Sequence, residues 1–177
     1  MFTKSSNYNI FFTLPILSYI WYTFYMHLNN AIYMSFVDIV DFFIHEFWHI
    51  LFGIPWNQFL LVAWWTLLQI IIPVFMLIYF LKQSDYFAMA LCYFWVWTNF
   101  FYISTYSWDA IKMQLPLIWT WSGETIHDWF YMFTKLWVIQ YTDFIAGVFY
   151  FIAILFYLLC FIYSFVLVMN RFREGKI

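Results

Sequence analysis

Long apolar segments separated by short polar stretches follow one another along the whole chain. About 20 apolar residues are enough to cross the hydrocarbon core of a membrane. The segments of that length predict spans at Ile10–Met26, Ala31–Phe52, Trp56–Leu81, Tyr86–Tyr106 and Asp143–Asn170. A shorter helical pattern at His127–Gln140 predicts an interfacial or re-entrant helix. We therefore expect an all-α, polytopic transmembrane helical bundle of about five spans, forming a single domain over residues 1–177.

The composition agrees with a lipid environment. Of the 177 residues, 67% are hydrophobic and 9% are charged, whereas a soluble domain carries about 25% charged residues. Few polar side chains are thus available to cover a water-facing surface. The net charge of -2 argues against a nucleic-acid partner. Cys92 and Cys160 lie inside apolar runs, so we expect them to pack rather than to form a disulfide or a metal-binding pair.

Both ends of the chain bear on its orientation. Lys4 precedes the first apolar run, and no small-residue cleavage site follows it, which predicts an uncleaved first span. Arg171, Arg173 and Lys176 follow the last span and predict a cytoplasmic C-terminus. With five spans, the N-terminus is then expected on the outside.

Ionisable residues interrupt the second predicted span in the stretch FFIHEFWHILF. Residues four apart share one face of a helix, so His45 and His49 could bind a single zinc ion. Glu46, beside the first histidine, is suited to take a proton from the attacking water. Ionisable groups inside a membrane usually serve a function. The H-E-x-x-H spacing predicts a zinc site with Glu46 as its base; the alternative is two buried histidines and an acid paired for packing.

Two carboxylates precede this motif on the same predicted helix. Asp38 and Asp41 share a face with the two motif histidines. Asp41 lies four residues before His45 and could orient that imidazole as a hydrogen-bond acceptor. It is an equal alternative that both aspartates face a water-filled vestibule.

A catalytic zinc ion usually has three protein ligands. Asp109, at the end of the fourth predicted span, is the first candidate for the third ligand, and His127 is the second. Two spans separate the motif from Asp109, so the chain returns to the same membrane face. An ordinary helix-end residue is the alternative for Asp109. A helix N-terminal acid, favoured by the helix dipole, is the alternative for Asp128 beside His127.

Gln69 and Asn99 are polar residues inside predicted spans. They are expected to bond across helices or to backbone freed by Pro73. Asn99 could instead hold the backbone of a substrate. The mid-span tryptophans, Trp95 among them, are expected to pack.

The HEFWH stretch, Asn99 in a later span and the sequence YSWDA around Asp109 resemble the site-2-type intramembrane zinc metalloproteases. The resemblance implies that His45, His49 and Asp109 are metal ligands and that Glu46 is the base. Two positions differ from the usual pattern of these proteases, since Trp48 and Ala110 stand where glycines are common. These differences bear on proteolysis more than on metal binding.

The chain also resembles a group of small, uncharacterised bacterial membrane proteins. The shared features, in order, are HEFWH, Gln69, Asn99, Asp109–Ala110, the LPL at Leu115–Leu117 and the HDW at His127–Trp129. This second resemblance implies an integral protein of the bacterial inner membrane.

The expected function is that of a zinc-dependent intramembrane hydrolase with one Zn²⁺ ion. Its substrate would be a membrane-embedded or membrane-proximal peptide. The alternative is a non-catalytic metal-binding subunit that assembles with partner helices. A third hypothesis is a haem-carrying electron-transfer subunit using His27, His45, His49 or His127, although histidines four apart on one helix favour one metal ion over a haem. An ion or proton path along Asp38, Asp41 and His45 is a further possibility.

Overall fold

The computed structural model describes residues 10–30, 33–43, 58–115 and 127–173, and every regular element in these ranges is helical. The helices are α1 (Ile10–Asn29), α2 (36–43), α3 (Gln58–Gln83), α4 (Tyr86–Lys112), α5 (Asp128–Lys135) and α6 (Thr142–Arg173). A single 3₁₀ turn at Ile139–Tyr141 precedes α6. The predicted His45, Glu46 and His49 lie outside the described residues.

Three helices in the described ranges are long and apolar enough to cross a membrane: Val62–Gln83, Tyr86–Lys112 and Ile139–Asn170. They correspond to the last three predicted spans and are compatible with an integral membrane protein. The first two predicted spans are not among them and stay predictions, and half of the second lies outside the described part of the chain.

Helix α4 is the centre of the bundle. In its most apolar stretch 67% of the residues are buried, against 12% in α3 and 17% in α6. Neighbouring helices shield a central helix from lipid, so α4 can carry polar side chains that hydrocarbon would not accept. Its buried polar residues are Thr98, Asn99, Ser104, Ser107 and Asp109.

Helix α6 packs on α4 through a line of small residues. Ala146, Ala153 and Cys160 are buried at a spacing of seven residues, which places them on one face of α6. The Cys160 thiol contacts the Ala90 carbonyl oxygen at 3.4 Å. The Ser104 hydroxyl donates to the Ala146 carbonyl at 2.9 Å. Small side chains allow this close approach of two helix backbones. Both cysteines are free and buried, which agrees with the prediction that they pack.

The outer faces of α3 and α6 carry large apolar side chains. The exposed residues on these faces include Leu60, Trp64, Leu67, Ile71, Phe75, Phe144, Phe151, Leu155, Leu158, Ile162 and Phe165. A contiguous apolar surface of this kind is suited to contact with lipid chains.

A tight turn joins α3 to α4, where the polar KQSD turn is predicted. Ser84 adopts a left-handed conformation with φ 56°. Asp85 caps α4 by accepting the Ala88 N–H at 3.0 Å. The turn makes α3 and α4 an antiparallel hairpin, and this part of the prediction is confirmed.

Helix α1 runs parallel to α4 and antiparallel to α6. Its ring contacts with α4 keep the same order on both helices: Tyr19 with Phe94, Phe24 with Trp97 and His27 with Phe101. Its contacts with α6 reverse the order: Trp21 with Phe161 and Phe24 with Tyr157. The start of α1 and the end of α6 therefore lie at the same end of the bundle. The prediction that they lie on opposite faces is wrong.

The reason is that the chain doubles back after α1. Tyr33 contacts the rings of Tyr22 and His27, and the Phe36 N–H donates to the Tyr19 hydroxyl oxygen at 2.8 Å. The chain thus returns along α1 before α2 begins, so α1 and α2 are not two simple antiparallel spans.

Two predicted boundaries are also wrong. The second span was expected to begin at Ala31, but α2 begins at Phe36 because Ser35 and Asp38 form a capping box. The fourth span was expected to end at Tyr106, but α4 continues to Lys112. In its last turns Ser107 and Asp109 are buried, although Lys112 is exposed.

Candidate functional site

Asp38 lies where α1 meets the start of α2. One of its carboxylate oxygens, Oδ2, accepts the Ser35 N–H at 2.6 Å and lies 3.3 Å from Nε2 of His27. The His27 ring is held in turn by its Nδ1, which donates to the Thr23 carbonyl oxygen at 2.9 Å. Asp38 and His27 are both buried. Asp38 therefore fastens the first turn of α2 to α1.

Asp41, one turn further along α2, is held by the central helix. The indole Nε1–H of Trp95 donates to both carboxylate oxygens of Asp41, at 2.9 and 3.1 Å. The Asn99 side chain also lies within hydrogen-bonding reach of this carboxylate. Because Asp41 is buried, the Trp95 N–H replaces solvent for its charge. Trp95, predicted only to pack, is thus a hydrogen-bond donor to a candidate site residue.

Asn99 links α4 to α3. Its side-chain Nδ2–H donates to the backbone carbonyl oxygen of Gln69 at 2.6 Å. Pro73 lies four residues after Gln69 and has no N–H, so that carbonyl has no partner within its own helix. Asn99 supplies the missing donor, as expected for backbone freed by Pro73.

Asp109 lies in the last turn of α4 and is 1% exposed. Its two carboxylate oxygens accept the backbone N–H groups of Gln114 and Leu115, at 2.8 and 3.0 Å. Met113, in a left-handed conformation, ends the helix through an N–H bond to the Asp109 carbonyl at 2.8 Å. Asp109 therefore organises the chain that leaves α4. Each carboxylate oxygen can accept more than one hydrogen bond, so these contacts do not exhaust its lone pairs.

His127 meets Asp109 from the start of α5. Its Nε2 lies 3.5 Å from Oδ2 of Asp109, and both side chains are almost fully buried. The Nδ1 atom accepts the Phe130 N–H at 3.3 Å and caps α5. The Tyr106 ring lies 4.4 Å from the imidazole, measured between ring centres. The two residues predicted as third-ligand candidates are thus in contact with each other.

The surroundings of His127 favour its neutral form. Burial lowers the pKa of His127, and the nearby Asp109 carboxylate opposes this shift only in part. A neutral ring whose Nδ1 accepts a hydrogen bond carries its proton on Nε2. That nitrogen lies 3.5 Å from Oδ2 of Asp109 with no hydrogen bond formed between them, and it has no free lone pair on that side.

Asp128 occupies the first turn of α5, where its charge complements the helix dipole. This is the position that the alternative interpretation of Asp128 requires. Helix α5 packs on α4 and α3 through Trp129, Met132 and Phe133.

The described residues on either side of the H-E-x-x-H motif lie along the same face of the bundle core. Asp41 precedes the motif and lies at the level of Trp95 and Asn99 on α4. The start of α3 follows the motif, and Val62 packs in the same cluster as Ala110, beside Asp109. At 1.5 Å per residue, the α4 levels of Asn99 and Asp109 are about 15 Å apart.

The predicted site residues therefore fall into two buried groups in the described part of the chain. Asp38, Asp41 and Asn99 lie near the middle of α4, whereas Asp109, His127 and Asp128 lie at its end. No cluster of three or more His, Cys, Asp or Glu side chains suited to a metal ion occurs among the described residues.

Sequence reasoning missed two members of these groups, Trp95 and the pairing of His27 with Asp38. The Ser35–Asp38 capping-box spacing was the available signal for Asp38, since it marks a helix start close to the histidine that ends α1. No spacing signal marks Trp95, because its contact with Asp41 joins residues far apart in the chain.

Comparison of the chain with protein-family models, with curated proteins and with solved structures finds no match.

Proposed function

We propose that this protein is a zinc-dependent intramembrane hydrolase, most specifically a peptidase that cleaves a membrane-embedded or membrane-proximal peptide. His45, His49 and Asp109 would hold the metal ion, and Glu46 would be the catalytic base. The proposal starts from the H-E-x-x-H spacing inside an apolar segment.

The structural observation that supports it most is the position of the residues flanking the motif. Asp41, which precedes the motif, lies beside α4 near Asn99. The start of α3, which follows the motif, lies beside α4 near Asp109. A chain joining these levels can bring its imidazoles towards Asp109. The opposite arrangement, with Asp109 at the far end of the bundle from both flanks, would have argued against the site.

Asp109 is the better third ligand of the two candidates. His127 uses Nδ1 as a helix cap and directs Nε2 towards Asp109, so its protonation does not suit a ligand on that face. Asp109 has lone pairs left beyond its two backbone contacts. His127 lies beside Asp109 and would restrict the positions open to the carboxylate, as neighbours of metal ligands often do.

A bound zinc ion would supply Lewis acidity, lowering the pKa of water and polarising a carbonyl group. Side chains of the protein would carry out the proton transfer and hold the segment that bears the motif. Glu46 would take a proton from the attacking water and pass it to the leaving amine. Buried Asp38 and Asp41, anchored to α1 and α4, would fix the start of the motif-bearing segment relative to the bundle core.

The test combines metal content with cleavage. Purified wild-type protein, Glu46→Gln and the double variant His45→Ala/His49→Ala are analysed for zinc by mass spectrometry. The same samples, reconstituted in liposomes, are assayed on a panel of quenched-fluorescence transmembrane peptides. We expect about one zinc ion per wild-type chain, retained by Glu46→Gln without cleavage and lost in the histidine variant. Cleavage that survives Glu46→Gln would refute the mechanism.

A second candidate is a non-catalytic metal-binding subunit. Trp48, bulky and next to the second motif histidine, and the structural use of both Asp109 oxygens favour it. It predicts the same zinc stoichiometry and the same loss with the motif histidines, but no cleavage by the wild type on any peptide of the panel.

A further inference from the structure

His27 and Asp38 form a buried pair that the proposed hydrolase chemistry does not use. The two side chains come from α1 and α2, and their closest polar atoms, Nε2 and Oδ2, are 3.3 Å apart. Their side chains are each 4% exposed. The whole pair lies within the described residues and does not include the H-E-x-x-H segment.

The hydrogen bonds around the pair fix where the protons can be. Nδ1 of His27 lies 2.9 Å from the Thr23 carbonyl oxygen, which can only accept, so Nδ1 carries a proton. In a neutral ring Nε2 is then an unprotonated lone pair. That lone pair faces Oδ2 of Asp38, which also accepts the Ser35 N–H.

An unprotonated Nε2 facing an ionised carboxylate at this distance would be repulsive, since both atoms would offer only lone pairs. One proton between them removes the conflict. It can sit on Nε2, giving an imidazolium and a carboxylate, or on Asp38, giving a neutral acid and a neutral ring. Either form also reduces the charge held beside Asp41, whose carboxylate repels that of Asp38.

The surroundings favour a proton over a metal ion. Three rings surround the imidazole of His27, with centres 5.1 Å away for Tyr33, 5.4 Å for Trp97 and 4.9 Å for Phe101. In the described part of the chain no third His, Cys, Asp or Glu side chain joins the pair as a metal ligand, and the rings can stabilise an imidazolium. Tyr33 and Asp38 are the titratable groups that face His27 from the segment after α1 and from α2, while α4 contributes the Trp97 and Phe101 rings.

We propose that His27 and Asp38 form a proton-binding site that fastens α1 to the start of α2. With the proton bound, the pair joins the two helices through a charge-assisted or neutral hydrogen bond. Without it, an ionised Asp38 is buried against a lone pair and close to a second carboxylate. The protonation of this pair is tested without zinc and without a cleavage assay.

The protonation state can be measured directly. The protein has four histidines, so histidine labelled with ¹⁵N on the ring, in protein held in detergent micelles, gives few signals. The His27→Gln variant identifies those of His27. We expect either a ring protonated on both nitrogens or a Nδ1–H ring beside a protonated Asp38, read from the ¹³C carboxyl shift. A ring protonated only on Nε2, or a neutral ring beside an ionised Asp38, overturns the proposal.

The fastening role is tested by thermal unfolding. His27→Ala, which leaves the buried Asp38 carboxylate without its partner on α1, should lower the unfolding midpoint by about 5 °C or more. His27→Gln, whose amide can donate to Asp38, should lower it less. An equal fall in the two variants contradicts the fastening role.

Discussion

At the residue scale, the buried side chain of Asn99 replaces a backbone hydrogen-bond donor that a proline removes from α3. Pro73 leaves the Gln69 carbonyl without its helical N–H, and Asn99 supplies a donor from α4 at 2.6 Å. A carbonyl in a membrane-spanning helix cannot form a hydrogen bond with water, so it needs a donor from the protein. The hydrogen bond of Asn99 is therefore needed because α3 contains a proline.

This coupling predicts the outcome of a double-mutant cycle. Asn99→Ala should lower the free energy of unfolding by about 0.6–2 kcal/mol, since it leaves the Gln69 carbonyl unpaired. Pro73→Ala restores an N–H four residues after Gln69, so Asn99→Ala should cost less in that background. Unfolding in mixed micelles measures the four proteins. Equal costs of Asn99→Ala in both backgrounds would show that the bond to Gln69 carries none of the effect.

At the element scale, the fit of α6 on α4 depends on its small residues. Ala153 is fully buried between the two helices, whereas a side chain added at Gly147 meets nothing within 4 Å. The two positions lie on the same helix and differ in their surroundings. They therefore form a matched pair for testing which face of α6 is packed.

Ala153→Leu should destabilise the protein by about 1–3 kcal/mol, because a large side chain would force α6 away from α4. Gly147→Ala should be neutral or stabilise by up to about 1 kcal/mol, because alanine has the higher helix propensity. Thermal unfolding of both variants measures the difference. Equal tolerance of both changes would mean that the small-residue line is not the packed face.

The capping of α5 by the buried His127 makes the stability of the protein depend on pH. Burial lowers the pKa of His127. Below the ordinary histidine pKa of about 6.5, the unfolded chain therefore binds a proton at His127 more readily than the folded chain does. The stability contributed by the neutral ring is present above that pH and is lost as the pH falls. Asparagine is a strong N-cap and does not titrate. We expect the midpoint of His127→Asn to fall less than that of the wild type on acidification, and identical acid limbs would contradict this role.

At the scale of the whole molecule, the directions of the helices decide which ends lie together. The α3–α4 turn and the end of α6 lie at one end of the bundle, because Ala90 and Cys160 meet there, and α5 lies at the other. The Asp109–His127 pair is thus at the end opposite to the C-terminal end of α6. If the C-terminus is cytoplasmic, as the sequence predicts, this group faces the other side of the membrane.

Labelling of single cysteines tests this arrangement in proteoliposomes. With Cys92 and Cys160 replaced by serine, Lys82→Cys and Arg173→Cys should react with a membrane-impermeant thiol reagent from one side. Lys135→Cys should react from the other side. All three positions are exposed. Reaction of Lys82→Cys and Lys135→Cys from the same side would be incompatible with α4 crossing the membrane.

Cross-linking tests the direction of α1. The Trp21 and Phe161 rings are in contact at 4.4 Å between centres. In the same cysteine-free background, Trp21→Cys/Phe161→Cys should be joined by a short bifunctional thiol reagent. The control pair Trp21→Cys/Phe144→Cys, with its second cysteine near the other end of α6, should not. The reverse pattern would restore the antiparallel order of α1 and α4.

The sequence by itself determined the helical class, the three described helices that can cross a membrane, the KQSD turn and the short helix before α6. These features follow from local hydropathy and turn chemistry, which depend on neighbours in the chain. It also selected Asp38, Asp41, Asn99, Asp109 and His127 as residues to examine. The H-E-x-x-H site itself remains a prediction.

The tertiary structure alone decided the direction of α1, the extension of α4 to Lys112 and the partners of the buried polar groups. Trp95 meets Asp41, and His27 meets Asp38, only because helices distant in sequence are packed together. A buried polar atom needs a hydrogen-bond partner. The pattern of polar and apolar residues indicates which residues are buried and on which helix face they lie, but it does not indicate which partner each one meets. Pairing across helices is therefore fixed by packing.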